Sequence, residues 1–421
     1  MKFALQPFCN AYLPEGATRV DVIMTVRATQ DGAPTAGGRL EYGILIDCSG
    51  SMGERGKMAS AKLAARAAIS RIPDGVTFFV IAFEGAANVV VPATVSAAQA
   101  RAAASQQVAG IEANGGTSMA NALHAAAGQF SSAANAVRVC HLFTDGENGD
   151  DDGVLAKRLQ QVKGKFQCEC RGIGDGWRPT QLLQIAEALL GTAKGVSSGE
   201  DIAADLETTF AQAAARGVAN VRLRLIVPPK MARVVDVQQV SPTIISLSAQ
   251  GVAMDDRTFD YPTGAWGNEE RDFHVVLEMK QAGNVGEQLR VARTAIVFGD
   301  AVEDQPAVTV TWSADASMTA RIDPQVAHYT GQAELAEATR EGFNALDRGD
   351  TQTATVRLGQ ALKLAQDSGN EEATRRLAKV VDVVDAAQGT VRLRAGVRKT
   401  DILEAEVGAT RTVRRSPPKA P

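Results

Sequence analysis

The chain has 421 residues, which is more than one hydrophobic core usually organises, so two or three domains are expected. Its 45% hydrophobic and 22% charged residues are typical of a soluble globular protein. The 44 basic and 48 acidic residues leave a net charge of -4, which gives no reason to expect a nucleic-acid-binding surface.

The start of the chain and its cysteines bear on the cellular compartment. Met1 to Glu15 lack the basic start and continuous apolar run of a signal peptide, and no segment approaches about 18 uninterrupted apolar residues. The sequence therefore predicts a cytoplasmic protein without a membrane span. None of the five cysteines forms a CxxC pair, and we expect them to be small core residues rather than metal ligands or disulfides.

The first predicted element is a half-buried antiparallel strand over Arg19 to Arg27, where apolar residues alternate with polar or mixed ones. A loop rich in glycine, proline and threonine, from Gln30 to Gly38, follows it. From Leu40 to Gly217 the pattern changes to alternating strands and helices. This alternation predicts an α/β fold with a doubly wound, mostly parallel, Rossmann-like sheet that is covered by helices on both faces.

The predicted elements of this α/β region determine where its loops lie. Ala87 to Pro92 follows the strand that ends at Phe83 too closely for a crossover helix, so we expect an antiparallel edge strand there. The predicted strands cover Leu40 to Asp47, Thr77 to Phe83, Ala87 to Pro92, Val137 to Thr144, Phe166 to Ile173 and Thr192 to Val196. The predicted helices cover Lys57 to Ile72, Ala97 to Ala109, Ser118 to Phe130, Val154 to Gln161, Thr180 to Leu190 and Ile202 to Arg216.

Beyond Gly217 the helical periodicity gives way to short strands with alternating apolar and polar residues. Such strands are predicted around Val221 to Val227, Phe273 to Met279 and Val308 to Trp312. Their pattern and the turn residues between them favour a β-sandwich. Because the N-terminal strand has no other partner, we expect it to complete the sandwich, with the α/β domain inserted between the two halves. The predicted sandwich thus comprises residues 1–37 and 218–323, and the predicted α/β domain residues 38–217.

From Gln325 onward the spacing of apolar residues becomes helical again. Three apolar stripes are predicted, within Leu335 to Leu346, Ala354 to Ala365 and Leu377 to Val384. Residues 324–408 are accordingly expected to form a helical bundle or hairpin. The arginine- and proline-containing tail, residues 409–421, has too few apolar residues to bury a core and is expected to be disordered.

Three polar clusters lie in loops at predicted strand ends or helix starts. They are Asp47 to Ser51 after one strand, Gly115 to Ser118 between two helices, and Thr144 to Gly146 after another strand. Because parallel strands end at the same edge of a sheet, we expect two carboxylates and three hydroxyls to converge there. An oxygen-only set suits Mg²⁺, Mn²⁺ or Ca²⁺ rather than zinc. Two carboxylates nearly neutralise a divalent ion, and five oxygen ligands leave a sixth position open.

These clusters resemble a von Willebrand factor type A domain with its metal-ion-dependent adhesion site. The D-x-S-x-S motif of that family is matched by Asp47, Ser49 and Ser51, its later threonine by Thr117, and its T-D-G motif by Asp145. The resemblance implies that the serines and the threonine bind the ion directly or in alternation, and that the aspartates often act through water. It also implies that a Glu or Asp of a partner protein fills the last coordination position.

Other chemistries fit the sequence less well. Ser51 is not in a G-x-S-x-G nucleophile motif, because Ser49 occupies the position of the first glycine. A phosphate-binding P-loop is disfavoured, because Met58 stands where that motif needs Ser or Thr. His124 and His141 are predicted in a helix and in a buried strand, so neither is expected to be catalytic.

The resulting hypothesis is a metal-dependent protein–protein interaction module without enzymatic activity. Soluble bacterial members of the resembled family imply two contexts: partners of MoxR-type ATPases, and adaptors in Ser/Thr kinase, phosphatase and forkhead-associated (FHA) systems. Two alternatives stay open, a metal that is mainly structural and ties the loops together, and a metal-dependent hydrolase. The hydrolase is disfavoured because the sequence supplies no general base near the predicted ion.

Overall fold

The N-terminal strands are extended because apolar residues alternate with polar ones along them. The computed structural model of the protein describes residues 1–30, 40–196, 199–385 and 388–415. The first strands are β1 (Lys2–Cys9), β2 (Tyr12–Pro14) and β3 (Arg19–Thr29). Apart from Gln30, the predicted Gly/Pro/Thr-rich loop lies outside the described residues.

The α/β region contains a six-stranded sheet with helices on both faces. Its elements are β4 (Leu40–Asp47), α1 (Lys57–Arg71), β5 (Thr77–Phe83), β6 (Ala87–Val95), α2 (Ala98–Ala109), α3 (Met119–Gln129), β7 (Val137–Thr144), α4 (Asp152–Val162), β8 (Gln167–Ile173), α5 (Pro179–Ala188), β9 (Ala193–Val196) and α6 (Gly199–Ala214). The strand order is β6-β5-β4-β7-β8-β9, and every neighbouring pair is parallel except β5 and β6. The doubly wound, mostly parallel sheet and its antiparallel edge strand are therefore confirmed.

Strand β4 lies in the middle of this sheet because both of its faces can be buried. All eight of its residues are buried, and the strand pairs with β5 on one side and β7 on the other. A Cβ on Gly43 would collide with the Phe79 ring and the Cys140 thiol, so glycine is required there. Packing from both sides thus holds the carboxyl end of β4 in place, and the first polar cluster begins there.

The sandwich consists of two sheets that are antiparallel apart from the parallel pair β18–β2, with the aromatic side chains of Trp266, Phe273 and Trp312 in the core between them. Its further strands are β10 (Val218–Ile226), β11 (Ala232–Ser241), β12 (Ile245–Ser246), β13 (Val252–Ala253), β14 (Thr258–Trp266), β15 (Glu269–Met279), β16 (Gln288–Phe298), β17 (Ala301–Glu303) and β18 (Ala307–Ser313). One sheet has the order β1-β3-β15-β11-β12 and the other β13-β14-β10-β16-β18-β2. Since β3 pairs with β15 along its length, the α/β region is inserted between two parts of one sandwich.

The C-terminal region is mainly helical but contains a β-hairpin. Its elements are α7 (Ala316–Thr319), α8 (Pro324–Asp347), α9 (Thr351–Asp367), α10 (Glu371–Leu377), β19 (Val381–Asp385), β20 (Thr390–Leu393) and α11 (Lys399–Gly408). The third predicted helical stripe, Leu377 to Val384, is wrong, because α10 ends at Leu377 and β19 pairs with β20. The valine-rich segment after Leu377 has apolar residues at helical spacing, but β-branched residues fit a hairpin better.

The prediction of a disordered tail is wrong for residues 409–415, which pack on the sandwich. The amide of Ile244 donates a hydrogen bond to the carbonyl oxygen of Thr410 at 2.7 Å. The Thr412 hydroxyl donates to the Val240 carbonyl oxygen at 2.6 Å, and Arg414 forms an ion pair with Asp272. Composition did not reveal these contacts, because backbone hydrogen bonds and ion pairs hold this segment without a core of its own. Residues 416–421 lie outside the described part of the chain.

Helix α8 begins at a carboxylate that caps its first turn. The side chain of Asp323 accepts hydrogen bonds from the amides of Gln325 at 2.8 Å and Val326 at 3.2 Å. Asp323→Ala leaves these amides without that acceptor, so we expect it to lower the free energy of unfolding by about 1 kcal/mol. Urea denaturation measures the change, with Asp300→Ala in an exposed turn as the control. Equal stability of the two variants would contradict the capping role.

Candidate metal site at the carboxyl edge of the sheet

The polar loops meet because β4 and β7 are parallel neighbours that end at the same edge of the sheet. Asp47 is the last residue of β4, and Asp145 directly follows β7. The loop before α3 is attached to the first cluster by backbone hydrogen bonds, from the Gly50 amide to the Gly115 carbonyl at 3.0 Å and from the Asn114 amide to the Cys48 carbonyl at 2.6 Å. These bonds bring the loop that carries Thr117 to the two strand ends.

The five side chains singled out by sequence lie together. The Ser49 amide donates to Asp47 Oδ1 at 2.8 Å, and the Ser51 hydroxyl donates to Asp145 Oδ1 at the same distance. The hydroxyl oxygens of Ser49 and Ser51 are 3.2 Å apart. A methyl group on Gly146 would lie 3.6 Å from both Ser51 Oγ and Thr117 Oγ1, so these two hydroxyls face the same small space. That the five residues bind a metal ion stays a prediction.

The oxygen atoms have spacings that a divalent cation accepts. Neighbouring ligands of an octahedral ion with bonds of about 2.1 Å are about 3 Å apart. The Ser49–Ser51 distance of 3.2 Å and the Ser51–Asp145 distance of 2.8 Å lie close to that value. Asp47, Asp145 and Ser49 are buried, whereas Ser51 is exposed and Thr117 is half-buried. The carboxylates thus form the base of the site, and the hydroxyls border its open side.

Two buried carboxylates at one site create an electrostatic demand for a cation. Burial raises the pKa of Asp47 above its ordinary value, and the charge of Asp145 raises it further. Hydrogen bonds from Thr144 and Ser49 act in the opposite direction, because they favour the charged carboxylate. Thr144, whose hydroxyl donates to Asp47 Oδ2, therefore fixes the orientation of this carboxylate.

Lys57 is a charged residue of the site that the sequence interpretation missed. Its Nζ lies 2.5 Å from Asp145 Oδ2, and its side chain is only 14% exposed. Lys57 is the first residue of α1, so the helix that follows the first polar cluster places its ammonium group beside the third cluster. The sequence contains a signal for it, since Lys57 directly follows Gly56 at the start of α1, but by itself this pair resembles only the end of a P-loop motif.

The histidines and cysteines do not contribute to this site. His141 is fully buried in β7 and shares a hydrogen bond of 2.8 Å with the Tyr42 hydroxyl, and burial lowers its pKa to about 3. Cys168 and Cys170 belong to the hydrophobic core, as expected. Across the described ranges, no group of three or more His, Cys, Asp or Glu side chains is placed to hold a metal ion.

A mostly parallel sheet with serine, threonine and aspartate loops at its carboxyl edge defines an α/β domain of the von Willebrand factor type A class. Residues 41–194 match the family model of the von Willebrand factor type A domain, and residues 363–409 match that of the von Willebrand factor type A C-terminal domain. The second match covers α10, the β19–β20 hairpin and α11. The C-terminal region is thus a feature shared with other proteins of this class.

Solved structures extend the similarity over the whole chain. A von Willebrand factor type A protein from Catenulispora acidiphila is 38% identical, with a TM-score of 0.91 over 98% of this chain and 97% of that one. This chain therefore belongs to the von Willebrand factor type A family. The ArnB paralog VWA2 from Sulfolobus acidocaldarius, at 16% identity, has a TM-score of 0.61 over 97% of this chain and 98% of that one, which shows a shared fold. No curated protein sequence is significantly similar to this chain.

The helices of the structure can be compared with the prediction of no membrane span. Helix α8, the longest in the C-terminal region, interrupts its apolar stripe with charged and polar residues. Among the described residues, no helix has the length and apolar character needed to cross a membrane.

Proposed function

We propose that this protein is a metal-dependent protein-binding module. A divalent cation, Mg²⁺ with Mn²⁺ or Ca²⁺ as alternatives, is held by the two aspartates, the two serines and the threonine of the carboxyl-edge site. These ligands are Asp47, Ser49, Ser51, Thr117 and Asp145. The observation that carries the proposal is the convergence of these five oxygen-bearing side chains from three loops in one small space.

The electrostatics of the site support a carboxylate-bearing partner. Asp47 and Asp145 with the Lys57 ammonium leave one net negative charge at the site, and the three hydroxyls add oxygen ligands without further charge. A divalent ion bound there keeps a positive charge that attracts a carboxylate. The sixth coordination position lies on the side bordered by exposed Ser51 and half-buried Thr117, where a protein surface has access. A Glu or Asp side chain there is strongly attracted to the ion, because the interface excludes water that would otherwise screen the two opposite charges.

We place this interaction inside a bacterial cell. Cys48, Cys140, Cys168 and Cys170 are buried and unpaired, which suits a reducing compartment. The family resemblance adds candidate partners, a MoxR-type ATPase or components of a Ser/Thr kinase, phosphatase and FHA system. Co-purification with each candidate in Mg²⁺ and in EDTA tests these partners one by one.

A mainly structural metal is the second candidate function. Backbone hydrogen bonds already hold the first two loops together in the folded protein, which favours this role. An ion bound among these loops binds the folded state alone and therefore stabilises it. In that case the ion raises the melting temperature without affecting partner capture. We propose no enzymatic activity, because His141, the histidine nearest in sequence to Asp145, is buried and engaged with Tyr42. Phosphoester hydrolysis that disappears in Asp145→Ala would support the hydrolase alternative.

Thr117→Ala is expected to abolish partner capture while the protein remains folded. The variant removes a neutral ligand and leaves both carboxylates, so the ion is held at least about 10-fold more weakly and in a different geometry. The measurement is a pull-down with immobilised protein in Mg²⁺, repeated in EDTA. Thr208→Ala, an exposed threonine on α6, is the matched control. Capture that survives both Thr117→Ala and EDTA would support the structural role instead.

A further inference from the structure

A second polar cavity lies between the α/β domain and the sandwich. Its volume is about 340 Å³, and its wall is formed by β8, the end of α6 and the β14–β15 turn. Three arginines line it: Arg171, Arg216 and Arg271. Gln167, at the start of β8, lines it, whereas the metal-site loops follow the carboxyl ends of β4 and β7. The cavity is therefore separate from the metal site.

Two of the three arginines have carboxylate partners. Arg171 is paired with Asp205 and lies 3.6 Å from Glu169. Arg271 is 2.7 Å from Glu269 and also donates to the backbone carbonyls of Thr263 and Ala265. The protein itself supplies hydrogen-bond acceptors and counter-charges for these two guanidinium groups. They line the cavity without needing a ligand.

Arg216 differs from them. Its Nη1 donates to Gln167 Oε1 at 3.0 Å, and among the described residues it has no ion pair with a carboxylate. A guanidinium group carries five N–H donors, so most of its donor capacity is unused by the protein. Burial lowers the pKa of Arg216 from its ordinary value, and the charge of Arg271 lowers it further, whereas the nearby carboxylates Glu169 and Glu269 act in the opposite direction. Neither of these carboxylates forms a direct ion pair with Arg216, so its free N–H donors remain available to an added anion.

The charged side chains that line the cavity are unbalanced by one positive charge. They are the three cations Arg171, Arg216 and Arg271 and the two carboxylates Glu169 and Glu269. A half-buried charge without a partner is costly, and one added anion removes the imbalance. The planar guanidinium fork matches the oxygen atoms of phosphate and carboxylate groups.

We propose that this cavity binds a small oxyanion, the phosphate group of a small molecule or a free phosphate ion, with Arg216 as its principal ligand. The volume accommodates a phosphate and a small attached group, at the lower end of the range for small-molecule sites. The amide side chains of Gln212 and Asn268, which also line the cavity, supply neutral donors beside it. Because the ligand contacts both the α/β domain and the sandwich, its binding joins the two.

The test compares inorganic phosphate, glycerol phosphate and acetate with potassium chloride at equal ionic strength. We expect the two phosphates to raise the melting temperature of the wild-type protein beyond the chloride effect, and Arg216→Gln to bind phosphate at least about 10-fold more weakly by calorimetry. Stronger binding of glycerol phosphate than of phosphate identifies an organic phosphate as the ligand class. Arg233→Gln removes an exposed arginine of the sandwich and should bind like the wild type.

Stability in phosphate-free buffer separates binding from a merely structural role. Arg216→Met removes an unpaired charge, so we expect its stability to equal or exceed that of the wild type. Arg216→Lys, which keeps the charge but not the fork, should retain weaker phosphate binding. Equal phosphate-induced stabilisation of wild type and Arg216→Gln, stabilisation no greater than that by chloride, or a loss of stability in Arg216→Met would overturn the proposal.

Discussion

Asp145→Ala is expected to abolish Mg²⁺ binding, with an affinity at least about 100-fold below that of the wild-type protein. The wild-type site combines two buried carboxylates with the Lys57 ammonium, which leaves one net negative charge for the ion. Without Asp145, the charges of Asp47 and Lys57 cancel. A divalent ion then exchanges its hydration shell for a site without net charge, which is unfavourable.

Isothermal titration with Mg²⁺ and with Mn²⁺ measures this loss directly. Asp151→Ala is the matched control, because it removes an exposed carboxylate from the loop between β7 and α4, which also carries Asp145. The Asp151 side chain makes no capping hydrogen bond at α4, so its loss should not disturb the helix. Circular dichroism of both variants shows whether the sheet is intact. Wild-type affinity in Asp145→Ala would refute the site, whereas loss of binding in both variants would point to the general charge of the loop.

The strand-end residues were predictable from sequence, because their positions depend on a short-range pattern. Asp47 and Asp145 end apolar runs of the length that parallel strands have, and parallel strands share one carboxyl edge. The doubly wound fold allows β4 and β7 to lie side by side, and the structure shows that they do. Local sequence together with one fold-level rule was therefore enough to bring the polar clusters together.

Contacts between residues far apart in sequence were not predictable in the same way. The Lys57–Asp145 ion pair depends on how α1 packs beside the end of β7, which no periodicity encodes. The packing of Thr412 on the sandwich depends on an available carbonyl oxygen of β11. The segment from Val381 to Asp385 is ambiguous in itself, because its valines satisfy helical spacing and β propensity alike, and pairing with β20 determines its structure.

Lys57→Met is expected to increase the affinity for Mg²⁺ by about 10- to 100-fold, because a unit charge within several ångströms of a divalent ion repels it by about 1 to 3 kcal/mol in a partly solvated site. The same change removes the partner of Asp145 in the metal-free protein. Two buried carboxylates then repel each other without compensation, so the metal-free state becomes less stable. Both effects shift the equilibrium toward the metal-bound protein.

Melting temperatures with and without Mg²⁺ test both effects in one experiment. Lys57→Met should melt below the wild type in EDTA and gain more from Mg²⁺, whereas Lys57→Arg, which keeps the charge, should remain close to the wild type in both conditions. Lys62→Met removes a charge from the same helix, where the lysine contacts the Ala109 carbonyl rather than Asp145. If Lys57→Met binds Mg²⁺ more weakly than Lys62→Met does, the ammonium group supports the ion instead of competing with it. Lys57 would then act by holding the Asp145 carboxylate in the orientation that the ion requires, and the charge balance proposed for the site would be wrong.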